Sequence, residues 1–296
     1  MEDLLKPRYP IYVISKGRYA RCMTAKFLVK DQTPFHLVVE PQEAKEYQKR
    51  FGTEIVKILP FSNLGLGSIP ARNWVWEDSI KRGFDRHWIL DDNIANIKRR
   101  WKGRKFVCDS NSALSASEDF FDRYENVAIG GMNYFMFAPN GLEMKPFVAN
   151  VHVYSCLCIM NSLPYRWRGR YNEDTDLCLQ VLANGWCTIL INTFLIHKTP
   201  TMIMKGGNTD DLYNGDGRLK MARSLERMWP GVVNTQRRFH RPQHVIKGNW
   251  VKFNTPLIKR PDLKDKEPNE YGLELKQVRP VIKSETLKNL ISGHIK

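Results

Sequence analysis

Asp91, Asp92 and Asn93 close a short apolar run, His87-Trp88-Ile89-Leu90, that reads as a buried strand. Oxygen-rich side chains at a strand end suit a hard divalent cation or a ribose. A turn alone also accounts for Asp and Asn there. A second acidic pair, Glu173-Asp174, opens a helical stretch about eighty residues on. It could supply a general base, or simply complement the helix dipole. His197 ends a long apolar strand; it could be a structural imidazole or a ligand that manganese tolerates. Together, in this order, the three features suit sugar transfer from a nucleoside diphosphate. A cation would stabilise the charge that develops on the leaving diphosphate, and a carboxylate would take the acceptor's proton.

The elements that must position these residues alternate. Strands are predicted at Ile11 to Ser15, Phe35 to Glu40, Ile55 to Leu59 and His87 to Leu90. Helical stretches separate them, at about residues 20–30, from Pro41 to Gly52, and from the glycine-bearing loop Asn63-Leu64-Gly65-Leu66-Gly67 to about Gly83. Such alternation implies a parallel sheet covered by helices, with ligands outside the carboxyl ends of the strands. Ser15, Glu40 and Asp91-Asp92-Asn93 all fall at those ends. Further helices are expected near residues 112–124, 173–182 and 216–228, and strands at 127–137, 147–160 and 187–197. Residues 98–105 read as a densely charged stretch around Trp101.

The 296 residues carry 46 Lys and Arg against 31 Asp and Glu, a net charge of +15. That excess favours an anionic partner. The segment 231–296 holds 14 Lys and Arg against 6 Asp and Glu, and reads as a basic extension beyond a domain over residues 1–230. Six scattered cysteines include no CxxC pair, which points to reduced thiols. The opening residues show no leader, and no run is long enough to span a bilayer, so a cytoplasmic location is expected.

The strand Ile11 to Ser15, the Asn63…Gly67…Ala71-Arg72-Asn73 segment, the strand ending in Asp91-Asp92-Asn93, the helix start Asn172-Glu173-Asp174-Thr175-Asp176 and the late His197 resemble a GT-A glycosyltransferase. The match spans about residues 11–198. Ile14-Ser15-Lys16-Gly17-Arg18, Ala71-Arg72-Asn73-Trp74, His87 through Asn93, and Lys205-Gly206-Gly207-Asn208 are similar to the phage TET-associated glycosyltransferases. Those enzymes are proposed to add sugars to 5-hydroxymethylpyrimidines in DNA.

The resemblance implies an α/β fold with a GT-A-like, mostly parallel central sheet flanked by helices. A Rossmann-like nucleotide-sugar half would cover residues 1–110, and an acceptor and catalytic half residues 111–230. Asp91-Asp92-Asn93 stands at the family's DxD position, with Asn93 in place of the last Asp. Asp92, Asn93 and His197 are then the implied ligands of Mn²⁺ or Mg²⁺, with Asp91 toward the nucleoside. Asp174 is the implied base of an inverting reaction, and Glu173 the second choice. Arg72 would clamp the diphosphate. Ser15, Arg18 and Glu40 would hold the base and ribose of a nucleotide sugar, UDP being the commonest nucleotide in this fold. Gly130, Gly131, Asn133 and Tyr134 would line the sugar and acceptor pocket. Lys205 and Asn208 would belong to a loop closing over the donor.

For the acceptor, the charge favours DNA, expected double-stranded and hydroxymethylated, in the host cytoplasm if phage-encoded. Two segments mix basic and aromatic residues: Lys98 to Phe106, and the stretch with Arg237, Arg238, Arg241, Lys247, Trp250 and Lys252. A pyrimidine 5-substituent projects into the major groove, where it could be reached directly or after base flipping. Tyr134, Tyr154 and Trp167 are candidate stacking partners for a flipped base. The competing readings are a GT-A enzyme acting on a glycan or protein, a nucleotidyltransferase, and a non-catalytic nucleic-acid-binding relative.

Overall fold

The computed structural model describes residues 6–199, 217–238 and 240–263. The chain begins as an alternating α/β unit. Strand β1 (Ile11–Ile14) is followed by α1 (Met23–Lys30), β2 (His36–Val39), α2 (Ala44–Phe51), β3 (Val56–Ile58), α3 (Ile69–Lys81) and β4 (Arg86–Asp91). β1 is apolar, and both β1 and β4 are buried almost throughout, as expected of strands covered on both faces. These four strands pair in parallel in the order β3-β2-β1-β4.

The second half is mixed. A hairpin of β5 (Ile94–Trp101) and β6 (Arg104–Cys108) precedes α4 (Ser110–Phe121). There follow β7 (Val127–Tyr134), β8 (Phe147–Ala149), β9 (Cys156–Met160), α5 (Glu173–Ala183) and β10 (Cys187–Lys198). They extend the same sheet as β4-β9-β7-β10-β5-β6, with β8 beside β10. β9 runs antiparallel to both β4 and β7, whereas β7 and β10 are parallel. The architecture is thus a GT-A-like central sheet, parallel in its first four strands and mixed beyond them.

Strand alternation distributes the core over two faces. Ile11, Val13, Trp88 and Leu90 pack against α1, α2 and α4 through Phe27, Leu28, Tyr47, Leu114 and Phe121. Tyr12 and Ile89 point the other way, against Val75 and Trp76 of α3 and Leu177, Cys178 and Val181 of α5. A smaller core joins Leu179 of α5, Leu225 of α6 (Gly217–Met228), and Val233 and Ile246 of the hairpin β11 (Val233–Arg238) and β12 (Arg241–Ile246). The described part of the basic segment therefore packs on the domain. Residues 256–260 also return to it, with Asn126 bonding Pro256 O and Ile258 N at 2.8 Å. Among the described residues no helix is long and apolar enough to cross a membrane. All six cysteines are free thiols and five of them are buried.

Gly130 and Gly131 sit in the fully buried centre of β7. A Cβ on Gly130 would strike the Phe121 ring, and one on Gly131 would strike the Cys156 carbonyl oxygen and Val153. Both are glycines because α4 and β9 approach the strand too closely for a side chain. They shape the core rather than line an acceptor pocket, a correction to the reading from resemblance. Gly131→Ala is expected to lower stability by about 1–3 kcal/mol, since the backbone carbonyl it meets cannot rotate aside. Urea unfolding checks this; an unchanged midpoint contradicts it.

Candidate functional site

A cavity of about 500 Å³ opens at the carboxyl ends of β1, β2 and β4. The start of α3, the start of α5 and the end of β10 complete its walls. This is where a doubly covered parallel sheet leaves its strand ends exposed.

The nucleoside side is built from the first two strands. Ser15, just past β1, donates to Asp92 Oδ2 at 2.8 Å and shares a 2.7 Å bond with the Tyr47 hydroxyl. Arg18 contacts Asp92 Oδ1 at 2.6 Å. Glu40, just past β2, pairs with Lys16 at 3.0 Å and accepts from Asn63 N at 3.2 Å. Burial pushes the Glu40 carboxyl up, but Lys16 and hydrogen bonds outweigh it, so the carboxyl is held below its ordinary range. Ser15, Arg18, Glu40, Asp91 and Asp92 all line the cavity. The structure brings these five side chains to one cavity.

The floor is organised by Arg72. Helix α3 presents Arg72, Val75, Trp76 and Ser79 on one buried stripe. Arg72 lies in the first turn, so its side chain reaches the cavity while the rest of the stripe enters the core. The guanidinium covers the Trp167 ring at 4.5 Å. It faces three carboxylates at 3.4 Å each: Asp91, Glu173 and Asp174. Ser68 ties Arg72 to Glu173 through 3.2 and 3.3 Å bonds. Glu173 and Asp174 open α5, whose Asn172 cap adopts a left-handed φ of 53°. Asp176, in the same turn, points away and binds Arg168, Gln180 and Trp229. Sequence spacing alone could not separate Asp174 from Asp176.

Asp174 is the most perturbed carboxylate of the cluster. Desolvation, with Glu173 and Asp91 nearby, pushes it up to about 7 against the pull of Arg72 and Lys198. Its Oδ1 and Arg72 Nη1 are both buried without a hydrogen-bond partner. Asp91 behaves oppositely: burial raises it, but Lys198 and Arg72 win and hold it below its ordinary range. Asp92 is raised by burial despite Arg18 and Ser15.

The implied metal ligands are not brought together. Asp92 is engaged by Ser15 and Arg18. Asn93 lines the cavity and its Oδ1 is buried without a partner. His197 lies on the other face of β10, with its ring 4.1 Å from Phe135. Burial, Lys98 and Lys105 lower its pKa, an environment already cationic. The cavity-facing residue is the next one, Lys198, with its ammonium 2.5 Å from Asp91 Oδ2. Ordinary strand alternation puts the two on opposite faces, and the irregularity in the pairing with β5 skips Ala95 on that other strand. Among the described residues no three His, Cys, Asp or Glu side chains gather to hold a metal ion. The side chains present therefore do not fit the divalent centre that the resemblance implied.

On the acceptor side, Tyr134, Tyr154, Ser155 and His152 line the cavity. Asn133 stands behind them, accepting from Tyr154 at 2.8 Å and donating to Asn192 at 2.9 Å. It orients Tyr154 rather than facing the cavity. Trp167 lies under Arg72 and is unavailable for stacking on a base. Phe137, half-exposed and stacked on Tyr134 at 5.6 Å, borders both the cavity and an adjoining cleft that includes Arg218 and Arg241. Arg237 and Arg238 are exposed farther along the same hairpin. Lys98 and Lys105 reach the Phe135 ring at 5.6 and 5.2 Å, which joins the β5–β6 hairpin to this rim. Lys205 and Asn208 lie outside the described residues. Lys198, Ser155, His152 and Phe137 were missed from sequence. Only Lys198 carried a signal, its place beside His197 at a strand end.

Carboxylates and cations thus gather at the open ends of parallel strands, where an α/β sheet binds its ligand. The chain belongs to the TET-associated glycosyltransferase family, whose model matches residues 9–207. It is also similar to the crystal structure of a candidate nucleotide-diphospho-sugar transferase from Desulfovibrio desulfuricans G20. That likeness has 8% identity and a TM-score of 0.36 over 62% of this chain and 80% of the other. Likeness at that level carries no argument about the site. No match was found among curated proteins.

Replacing Arg72 with Met would leave three carboxylates facing one another around a buried apolar side chain. The expected loss is roughly 3–5 kcal/mol, the range for breaking a buried ion pair on one side. Thermal unfolding checks this, and the loss should shrink below pH 5 as the carboxylates protonate. A variant as stable as the parent at pH 8 contradicts it.

Proposed function

We propose that the protein transfers a sugar from a nucleoside-diphosphate donor to the hydroxyl of a 5-hydroxymethylpyrimidine in DNA, with inversion and with Asp174 as base. The observation that carries the reading is the Asp174 carboxyl. It is partly buried at the cavity floor, desolvation pushes it up to about 7, and its buried Oδ1 makes no hydrogen bond. A base with a pKa near the working pH combines availability with driving force.

The donor's nucleoside sits against Ser15, Arg18 and Glu40, with Asp91 beside the ribose. Arg72, whose Nη1 faces Asp174 at 3.4 Å without a hydrogen bond, offers its charge to the diphosphate. Asp174 takes the proton of the acceptor hydroxyl as its oxygen attacks the sugar C1. The C1–O bond to the diphosphate breaks, and its electron pair leaves with the nucleoside diphosphate.

Two observations support a DNA acceptor. The net charge of +15 suits a polyanion. The basic side chains Lys98, Lys105, Arg218 and Arg241 also surround the turn Phe135–Phe137 at the cavity mouth. The exposed Phe137 ring is placed to stack on an extruded base, a step that costs a few kcal/mol. UDP is the first nucleotide to try. A glycan or protein acceptor is the reading that the same site would serve if the basic rim had no polyanion to meet.

Mass spectrometry of nucleosides, after incubation with hydroxymethylated DNA and a panel of nucleotide sugars, tests the reaction. A new glycosylated pyrimidine nucleoside is expected; none with any donor sinks the DNA reading. Asp174→Asn should lower kcat by about 10²–10⁴. The pH profile follows from the raised pKa. The base form is lost as pH falls through about 7, so kcat/KM should decline roughly tenfold per unit on the acid side. A flat profile between pH 5 and 8 contradicts Asp174 as the base.

A further inference from the structure

As the bond from sugar to diphosphate breaks, charge accumulates on the leaving oxygens and a cation must face them. Lys198 stands where that cation is required. Its ammonium is 2.5 Å from Asp91 Oδ2, while Arg72 lies 3.4 Å from Asp91 Oδ1. The first carboxylate of the acidic strand end is thus bracketed by two fixed cations, one on each oxygen. Lys198 also donates to Ser155 Oγ at 2.8 Å. Its contact with the Tyr134 hydroxyl is long, at 3.4 Å. An ammonium has three donors. Two are well used here, and the third can turn to a phosphate oxygen.

The placement is built into the sheet. Successive residues of a strand face opposite ways, so His197 meets Phe135 while Lys198 enters the cavity. Only 11% of the Lys198 side chain is exposed, so water screens its charge weakly. Burial alone would lower its pKa, but Asp91 and Tyr134 more than reverse this, and the charge is retained at all working pH values.

Resting on the nucleotide-sugar donor proposed above, we infer that Lys198 binds the donor diphosphate and supplies the positive charge that a divalent cation supplies at a DxD motif. The ammonium keeps its proton and hydrogen-bonds the departing oxygen. The acceptor's proton goes to Asp174, and the electron pair of the broken C1–O bond stays on the diphosphate. Arg72 shares the charge from the other side of Asp91.

The test is calorimetric binding of UDP, GDP, CDP and ADP to the full chain, once with excess EDTA and once with Mn²⁺. At least one nucleoside diphosphate should bind with affinities within about threefold in the two conditions. Lys198→Met should weaken that binding by about tenfold or more in both, roughly 1.4 kcal/mol, while Lys198→Arg recovers most of it. Unfolding curves of each variant report whether the fold survives. If Lys198→Met fails to fold, the chelator comparison on the parent protein and the Lys198→Arg variant still decide. Binding that vanishes in EDTA and returns with Mn²⁺ overturns the inference, as does a folded Lys198→Met that binds like the parent. If the parent binds no nucleoside diphosphate with or without Mn²⁺, the donor reading fails and this inference falls with it.

Discussion

The site depends on one buried guanidinium. Arg72 faces Asp91, Glu173 and Asp174 at once and rests on Trp167. No other arrangement in the cavity would let three carboxylates share so small and dry a space, because like charges at this range raise one another's pKa. Arg72 cannot deprotonate, so the cluster holds at every working pH. What it does not do is neutralise all three. Asp91 has a second cation in Lys198 and stays ionised, whereas Asp174 is left with a raised pKa. One carboxylate is thereby held ionised, and the other is left with the raised pKa that the proposed base requires.

The fold explains why these groups meet. β4 delivers Asp91, α3 delivers Arg72 in its first turn, α5 delivers Glu173 and Asp174 in its own, and β10 delivers Lys198. Each group comes from an element end, and each element is locked by packing on one of the two core faces. Rigid elements fix side chains more tightly than loops do, and a proton transfer needs that precision. The opposite rim is more open, with Phe137 and the tip of the β11–β12 hairpin exposed. That division suits a donor of fixed shape and a larger, more variable acceptor.

Much of this was legible in the sequence. Buried parallel strands read as plain apolar runs, so β1, β2 and β4 and the acidic ends that follow were found at once. The pair Glu173-Asp174 stood out because a helix start favours acidic residues. The β5–β6 hairpin was not found. Both its faces carry cations, Arg99 and Arg104 on the exposed one and Lys98, Arg100 and Lys105 on the half-buried one, so the alternation that marks a strand reads as a charged loop. The glycines of β7 were taken for pocket residues because a glycine's reason lies in its neighbours, here Phe121, Val153 and Cys156. His197 and Lys198 show the sharpest limit. A strand tells that adjacent residues face opposite ways, but which of them faces the cavity depends on the elements packed on each side of the sheet. The aromatic lining, Tyr134 with Tyr154 and Phe137, depends on contacts between β7, the turn after it and the segment before β9, and no local pattern announces those.

The account stands or falls on the ionisation of Asp174 beside Arg72. Carbon-13 NMR of protein labelled at aspartate Cγ, with the Asp174 resonance assigned by its loss in Asp174→Asn, measures that directly. A titration midpoint near 7, well above the other aspartates, is predicted. A midpoint near 4, with Asp174 ionised throughout the neutral range, would contradict the dry, Arg72-centred cluster as the source of the base.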